Sequence, residues 1–259
     1  MVLPKRNIII PFALVPLVAS ASSSPTSNKT TCPHHVYETH MVSTEPLVIY
    51  IPSFITPSEI AHLQSISAGQ FRASYISDST GQHRRTGTRT SQSTSVASDA
   101  VTWCIEQRAL AFQGFDTPRA SLEPLQLVRY EQAQEYKAHT DWFTSDAQLG
   151  PEFGGNRISS FFVYVSVSRD IAGGGTRFPL LDVPRDERWC AYVDCDAEME
   201  DGLVFRPVQG NAVFWRNMAG GRGDWRTAHA GLVVQRGEKV GMNVWTREGV
   251  VDDKYRSGG

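Results

Sequence analysis

One short segment, residues 136–143, constrains the fold and the chemistry of this chain more than any other. It contains His139 and Asp141 two positions apart, so on an extended strand both side chains leave the same face. A second histidine, His229, comes much later in the chain and is followed by Lys239. Two histidines and one carboxylate with open coordination positions suit non-haem Fe(II) that also binds a cosubstrate and O₂. The sequence therefore predicts an Fe(II) site at His139, Asp141 and His229, beside a cation that can hold an acidic cosubstrate.

The overall charge excludes several other classes of protein. The chain has 259 residues and a formal net charge of −2, so its charge balance indicates neither a nucleic-acid partner nor an anionic membrane surface. Its basic run at residues 83–85 is short and typical of a solvated loop. The length allows one large domain or two small ones with an ample apolar core.

The first 45 residues are interpreted as targeting and linking segments. Lys5 and Arg6 precede an apolar run at residues 8–18, and small residues at 19–21 suit cleavage, so we predict a signal peptide over residues 1–21. The run is about half of the ~20 residues that cross a bilayer, so no stable membrane insertion is expected. Residues 22–45 are predicted to be a flexible linker with an N-glycosylation acceptor at Asn28. The expected location is the ER lumen or the cell exterior, and an uncleaved anchor in the ER membrane is the alternative.

The four cysteines are consistent with the secretory route. Cys190 and Cys195 lie in one polar, turn-rich stretch and are predicted to pair, which leaves Cys32 and Cys104 as a possible second pair. Four cysteines allow three connectivities, and the sequence does not choose among them. A structural zinc site would require clustered Cys or His spacing, which is not present. If the signal peptide is wrong, free thiols in the core are the alternative.

The folded domain is predicted to cover residues 46–250, with a tail at 251–259. A short β-type run at 46–52 precedes a helix capped by Thr56 or Ser58, and a second helix is predicted to end near Phe112. Residues 74–95 are polar and read as a long loop with room for one strand. Helices first and many strands afterwards predict an α+β order, mainly β, with a double-stranded β-helix (jelly-roll) core and the N-terminal helices packed outside. The later strands are predicted at residues 125–130, 158–167, 212–215 and 239–245.

Seven motifs are spread along the chain: residues 89–93 (RTSQS), 127–130 (LVRY), 136–141 (YKAHTD), 173–179 (GGGTRFP), 210–215 (GNAVFW), 229–234 (HAGLVV) and 237–239 (GEK). Together they resemble the prolyl 4-hydroxylase family of 2-oxoglutarate and Fe(II) dependent dioxygenases. The resemblance extends from Pro46 to Trp245 and keeps the family's order of motifs. A lone His-x-Asp is weak evidence, whereas the whole series at matching spacing is specific.

The resemblance implies a role for each matched residue. Fe(II) would be held by His139, Asp141 and His229, and Lys239 would bind the far carboxylate of 2-oxoglutarate by a charge-assisted hydrogen bond. Arg89 would contact the substrate. The remaining matched positions, which would lie near the cosubstrate, are Tyr130, Tyr136 and Ser160. O₂ would be the oxidant, with L-ascorbate as the reductant that maintains the iron.

The nature of the substrate stays open at this point. The chain lacks the peptide-substrate domain and the ER-retrieval signal of collagen-modifying members, so another proline-containing peptide or a small metabolite is expected. Two other classes compete with the oxygenase: a non-catalytic jelly-roll binding module, and a zinc hydrolase with three protein ligands and a water. Neither needs a cation like Lys239. The three tryptophans near the motifs, Trp142, Trp215 and Trp245, are interpreted as core residues.

Overall fold

Antiparallel strands make up most of the structure, a computed structural model that describes residues 31–77, 83–84, 87–114, 116–198 and 201–256. The predicted signal peptide and the glycosylation acceptor Asn28 lie outside these described residues. Within them, the mainly β composition with few helices confirms the coarse fold prediction. Of the helices in this part of the chain, none is long and apolar enough to cross a membrane.

Strands and helices follow one another in a clear order, with two helices near the beginning and one short helix at the end. The helices are α1 Pro57–Ser67, α2 Ala100–Gln113 and α3 Asp253–Arg256. The strands are β1 His40–Thr44, β2 Leu47–Ile51, β3 Arg72–Ala73, β4 Ile76–Ser77, β5 His83–Arg84, β6 Gln92–Ser95, β7 Gln126–Tyr130, β8 Tyr136–His139, β9 Arg157–Val167, β10 Ala172–Gly173, β11 Thr176–Phe178, β12 Leu203–Phe205, β13 Ala212–Arg216, β14 Met218–Ala219, β15 Arg222–Gly223, β16 His229–Gly231, β17 Val234–Arg236 and β18 Lys239–Arg247.

Two sheets carry the fold. The larger has eight strands in the order β1-β2-β13-β9-β18-β7-β6-β3, and the smaller has four in the order β12-β11-β16-β8. All the pairings within them are antiparallel. One apolar cluster joins the facing surfaces of the two sheets, where Phe178 of the small sheet meets Trp215 of the large one edge-on, at 5.3 Å between ring centroids.

The central strand β9 is buried on both faces, which explains its nearly continuous apolar sequence. Successive side chains of a strand point to opposite faces. Accordingly, Phe162 and Tyr164 belong to the cluster between the sheets, whereas Phe161 and Val163 belong to the cluster that contains the helices. This alternation also decides the face of Ser160, which is fully buried on the side of Phe162.

Helices α1 and α2 cover the outer face of the large sheet. Leu63 of α1 and Ile105 of α2 are fully buried in one cluster with the side chains of β9. The first turn of α1 is closed by the predicted cap: Glu59 N donates to Thr56 Oγ1 at 3.2 Å, and Thr56 N donates to Glu59 Oε2 at 2.8 Å. Such a capping box satisfies two backbone donors that the helix itself leaves unpaired.

The ordered chain extends beyond the predicted domain at both ends. Strand β1 lies within the predicted linker, because its Ser- and Thr-containing sequence pairs with β2 along the edge of the large sheet. At the other end, Val251 is buried and its N–H donates to Ala120 O at 2.9 Å, and α3 follows. The segment ahead of β2 was predicted to be a flexible linker, but an edge strand of an antiparallel sheet needs only one apolar face.

Two disulfides are present. Cys190 and Cys195 pair within the segment between β11 and β12, as predicted, and Cys32 pairs with Cys104 of α2. The second bridge ties the chain ahead of β1 to the helical layer. No cysteine within the described residues is free.

Candidate metal centre

His139, Asp141 and His229 converge at one end of the small sheet. The two histidines are register partners in the pairing of β8 with β16. Strand β8 ends at His139, so Asp141 lies in the bend that follows instead of on the same strand as predicted. One ligand atom from each residue falls within 4.8 Å of the others, and both histidine Nε2 atoms lie 3.9 Å from Asp141 Oδ1.

Backbone hydrogen bonds fix the tautomer of both imidazoles. His139 Nδ1 donates to Lys137 O at 2.9 Å, and His229 Nδ1 donates to Thr227 O at 3.0 Å. A carbonyl oxygen can only accept, so Nδ1 carries the proton and each Nε2 keeps a lone pair aimed at Asp141. Metal-binding histidines are commonly oriented by such a bond from the other ring nitrogen.

The electrostatics favour a neutral His139 imidazole beside an ionised Asp141 carboxylate. Burial, reinforced by His229, lowers the pKa of His139 to about 3 although Asp141 opposes the shift. Burial alone would raise the pKa of Asp141, but His229, His139 and the Arg157 guanidinium outweigh it and the net shift is downward. His139 and Asp141 are therefore in the protonation states that bind a metal near neutral pH. Two imidazoles and one carboxylate on one side of a cavity fit Fe(II).

Aromatic rings hold the two imidazoles in place. Tyr136 stacks on His139 at 3.5 Å between ring centroids. His229 lies between Phe178, stacked at 5.4 Å, and Trp215, edge-on at 4.7 Å. The prediction placed Trp215 in the core without a contact to any ligand. It is buried, but it packs directly against the His229 ring.

Lys239 is fully buried and has no carboxylate partner among the described residues. Its Nζ donates to Gly174 O and lies over the rings of Tyr130 at 4.7 Å and Phe162 at 5.5 Å. Burial lowers the pKa of Lys239 to about 7. A buried ammonium with only one carbonyl acceptor is costly unless an anion arrives, so this position suits the carboxylate of a dicarboxylic acid.

Comparisons with known proteins agree with this geometry. Residues 125–247 match the model of the 2OG-Fe(II) oxygenase superfamily. The chain is 30% identical over 214 residues to prolyl 4-hydroxylase 1 of Arabidopsis thaliana, covering 80% of this chain and 71% of that protein. The chain belongs to the prolyl 4-hydroxylase family. It is therefore a 2-oxoglutarate- and Fe(II)-dependent dioxygenase.

Further comparisons extend the likeness to sequence and fold. Prolyl 4-hydroxylase 2 of Arabidopsis thaliana is 29% identical over 212 residues, with 79% of this chain and 68% of that protein covered. Among solved structures, the fold is similar to a viral collagen prolyl hydroxylase from Paramecium Bursaria Chlorella virus-1 in its 2OG complex, at a TM-score of 0.54 and 21% identity over 76% of this chain and 94% of that one. A Trichoplax adhaerens prolyl hydroxylase bound to a hypoxia inducible factor peptide fragment gives 0.51 at 13% identity over 81% and 85% of the two chains.

The other four predicted site residues of this prolyl 4-hydroxylase occupy different positions around the site. Tyr130 lies against Lys239 and near Gly231, and burial raises its pKa to about 12, so it stays a hydrogen-bond donor. Tyr136 covers His139. Ser160 lies on β9, and its Oγ donates to Asp141 Oδ2 at 2.6 Å.

Arg89 lies at the mouth of the cleft. Its guanidinium is 4.8 Å from the Tyr136 ring centroid and donates to Tyr75 O at 3.3 Å and to Gln126 Oε1 at 3.2 Å. These contacts hold the cation beside the cleft and leave it half-buried.

Three charged residues of the site were missed by the sequence reasoning. Arg157 donates to both oxygens of Glu123, at 2.7 and 2.8 Å, and Arg247 donates to Glu123 Oε1. Arg157 also lies 3.6 Å from the centroid of the Trp245 ring, so Trp245 forms part of the cleft wall. The available signal was a charge at the end of an otherwise apolar strand, since Arg157 begins β9 and Arg247 ends β18.

One cavity of about 1030 Å³ contains the predicted ligands and opens to solvent. Trp142, predicted to lie in the core, is buried but lines its wall. Three exposed aromatic side chains line the same cavity: Tyr75, Trp225 and Tyr255. Trp225 is 64% exposed and packs edge-on against Trp142 at 4.6 Å. Exposed rings collected at one opening mark a surface for binding another molecule.

Proposed function

We propose that this protein hydroxylates a prolyl residue of a peptide, with His139, Asp141 and His229 as the Fe(II) ligands and Lys239 as the anchor of 2-oxoglutarate. The observation that supports this most strongly is a set of two histidines and one carboxylate that lines a cavity. Buried Lys239 lies directly behind Tyr130 and Phe162 of the cavity wall and has no carboxylate partner among the described residues. When bound there, Fe(II) and 2-oxoglutarate supply the chemistry that inserts one oxygen atom of O₂ into a C–H bond and releases succinate and CO₂.

The residues of the chain divide this task. The two imidazoles and Asp141 would hold the metal on the side of the small sheet. Lys239 would bind the far carboxylate of the cosubstrate, with the Tyr130 hydroxyl as a second donor. The rings of Tyr136 and Trp215 pack against the imidazoles of His139 and His229 and keep them in position.

The shape of the cleft supports a peptide over a small metabolite. Its volume exceeds what a dicarboxylic acid alone requires. Its exposed aromatic rings, together with Arg89 at the mouth, suit an extended chain with proline rings, since proline-rich segments dock in aromatic-lined grooves. A small metabolite is the alternative substrate for the same chemistry.

Three further features belong to this proposal. The two facing antiparallel sheets support a jelly-roll (double-stranded β-helix) core with α1 and α2 outside it. The two disulfides favour an oxidising compartment, hence the ER lumen or the exterior, with a signal peptide over residues 1–21 and glycosylation at Asn28. L-Ascorbate is proposed as the reductant that keeps the metal ferrous.

The test is succinate release from 2-oxoglutarate by the full chain, with and without Fe(II), in the presence of a proline-rich peptide. We expect turnover that depends on both, and a mass increase of one oxygen on a proline of the peptide. Iron-dependent succinate release without any peptide oxidation would instead favour the small-molecule substrate. Absence of turnover despite tight binding of 2-oxoglutarate would contradict the proposed hydroxylation.

A further inference from the structure

Asn217 is a fully buried polar residue that the function described so far does not use. It follows β13 and its backbone is held twice: its N–H donates to Ile158 O at 2.9 Å, and its carbonyl accepts from Asp224 N at 2.8 Å. Its side-chain Nδ2 donates to Ser160 Oγ at 2.9 Å. The other amide atom, Oδ1, has no hydrogen-bond partner within the described part of the chain. Buried polar atoms are seldom left unpaired without a reason. The side chain keeps its bond to Ser160 although Oδ1 is then left without a partner, so that bond must have a physical reason.

The direction of that bond follows from the chemistry of the three groups. Ser160 Oγ lies 2.6 Å from Asp141 Oδ2, and an ionised carboxylate can only accept. The single hydroxyl proton of Ser160 must therefore point to Asp141. The atom that approaches Ser160 Oγ from the other side must be a donor, which is the Nδ2 of Asn217. The amide thus fills the lone pair of the hydroxyl and leaves its proton for Asp141.

This arrangement acts on one oxygen of the carboxylate. With Oδ2 held by Ser160, the other oxygen, Oδ1, is the one that lies 3.9 Å from both His139 Nε2 and His229 Nε2. A carboxylate in a bend after a strand could otherwise rotate about its terminal torsion, since such torsions are broad. Partners of this kind orient metal ligands and tune their affinity.

We propose that Asn217 is a positioning residue for the metal, acting through Ser160 to fix which oxygen of Asp141 faces the two histidines. The inference rests on the proposed function, because it takes Asp141 as a metal ligand. Asn217 also anchors the segment that leads to the third ligand: its carbonyl accepts from Asp224 N, and Thr227 Oγ1 donates to Asp224 O at 2.7 Å. Within the described residues, the side-chain amide nitrogen of Asn217 donates only to Ser160 Oγ.

The test is titration of the full chain with Co(II), which substitutes for Fe(II) without oxidation, followed by its visible absorption. The variants are Ser160→Ala, Asn217→Ala and the double variant. We expect Ser160→Ala to weaken Co(II) binding by about 10- to 100-fold and Asn217→Ala to weaken it less. Because Asn217 acts through Ser160, the double variant should match Ser160→Ala within about twofold.

Two matched controls separate positioning from packing. Ser159→Ala removes a buried hydroxyl of the same strand that bonds Gln113 on the opposite face. Asn211→Ala removes a buried amide that donates to Tyr50 Oη at 2.9 Å. Both should lower the melting temperature without changing the Co(II) affinity or spectrum.

The outcomes are distinct. Wild-type affinity in Asn217→Ala, or losses that multiply in the double variant, would overturn the inference while leaving the metal site intact. If Asn217→Ala does not fold, Ser160→Ala decides alone, since wild-type affinity in that variant removes the route by which Asn217 would act. A wild-type protein that binds no Co(II) would instead contradict the proposed function itself.

Discussion

His139 and His229 lie directly opposite each other in the antiparallel pairing of β8 with β16. Because side chains alternate between the two faces of a strand, a slip of one residue in this pairing would turn one imidazole away from the other. The distance between the ligands is thus set by the register of the small sheet. The bend after β8 then adds Asp141 from the same side, so two local features assemble a three-residue site.

The first prediction concerns the three proposed ligands. His139→Ala, Asp141→Ala and His229→Ala are each expected to abolish iron-dependent succinate release, because removing one of three protein ligands weakens the metal site and opens its geometry. His62→Ala is the control, since His62 bonds Asp99 at the surface, away from the cleft. Circular dichroism checks that each variant is folded. A folded variant that keeps near wild-type turnover would show that its residue is not a ligand.

The second prediction concerns Lys239. In Lys239→Ala the far carboxylate of 2-oxoglutarate would be buried without its partner, which typically costs about 2–5 kcal/mol. The apparent affinity for 2-oxoglutarate should fall by roughly thirty-fold to several thousand-fold. Lys239→Arg should recover only part of this loss. It keeps the positive charge, but a planar guanidinium fits a lysine pocket poorly.

The measurement is a 2-oxoglutarate titration of succinate release at saturating Fe(II), with metal affinity determined separately. Metal affinity should not change, because Lys239 is not a ligand. An unchanged 2-oxoglutarate dependence in Lys239→Ala would remove Lys239 from the site, and a parallel loss of metal binding would indicate that it supports the fold.

The sequence predicted the chemistry of the site better than its walls. His139 and Asp141 could be predicted as a metal-binding pair because metal binding demands particular residue types and their spacing of two is a local signal. Lys239 stands out as a charge in the largely buried strand β18, and its role as the cosubstrate anchor stays a prediction. The contact between Arg157 and Glu123 could not, because it joins strand ends that are distant in the sequence and depends on where β9 and its neighbours stop. The edge strand β1 was missed because polar composition predicts a linker just as well.

The tryptophans show the same limit. A large apolar residue near a strand end is compatible with the core or with a cleft wall, and only the curvature of the sheets decides between them. Trp215 lies in the core, whereas Trp142 and Trp245 line the cleft. The helix starting after Thr56 was predictable because its capping box is a local signal that does not depend on tertiary structure.

The third prediction tests the aromatic opening. If a peptide lies against Trp225, Trp225→Ala should raise the KM for the peptide about five- to thirty-fold, the equivalent of about 1–2 kcal/mol lost from one aromatic contact. The KM for 2-oxoglutarate should stay the same. Leu180→Ala is the matched control, because Leu180 is similarly exposed but does not line the cleft. Equal effects of the two variants on the peptide KM would contradict a role for Trp225 in substrate binding.

The fourth prediction compares the two disulfides. The bridge between Cys32 and Cys104 closes a sequence separation of 72 residues, and the one between Cys190 and Cys195 a separation of 5. From loop-closure entropy, removing the long-range bridge should cost about 4 kcal/mol of unfolding free energy and removing the short one about 2 kcal/mol. Urea unfolding of the two paired Cys→Ser variants measures this difference. A larger loss from the short bridge would mean that local structure around Cys190 outweighs chain entropy.

The last prediction follows from the burial of Lys239 and concerns pH. In the free protein, burial without a carboxylate partner lowers the pKa of Lys239 to about 7. A carboxylate bound beside the ammonium would raise that pKa again. Below pH 7 the lysine is already charged, so 2-oxoglutarate binding should be independent of pH there. Above pH 7 the free lysine is neutral, so binding must take up a proton and the affinity should fall about tenfold per pH unit.

Calorimetry at pH 8 with the Co(II)-loaded protein, in two buffers that differ in ionisation enthalpy, measures this proton uptake, which should approach one per cosubstrate. The arginine in Lys239→Arg stays charged throughout this range, so this variant should bind 2-oxoglutarate without the proton uptake at position 239. Equal proton uptake by Lys239→Arg and the wild-type protein would assign the titration to another group and contradict a neutral Lys239 in the free protein at pH 8.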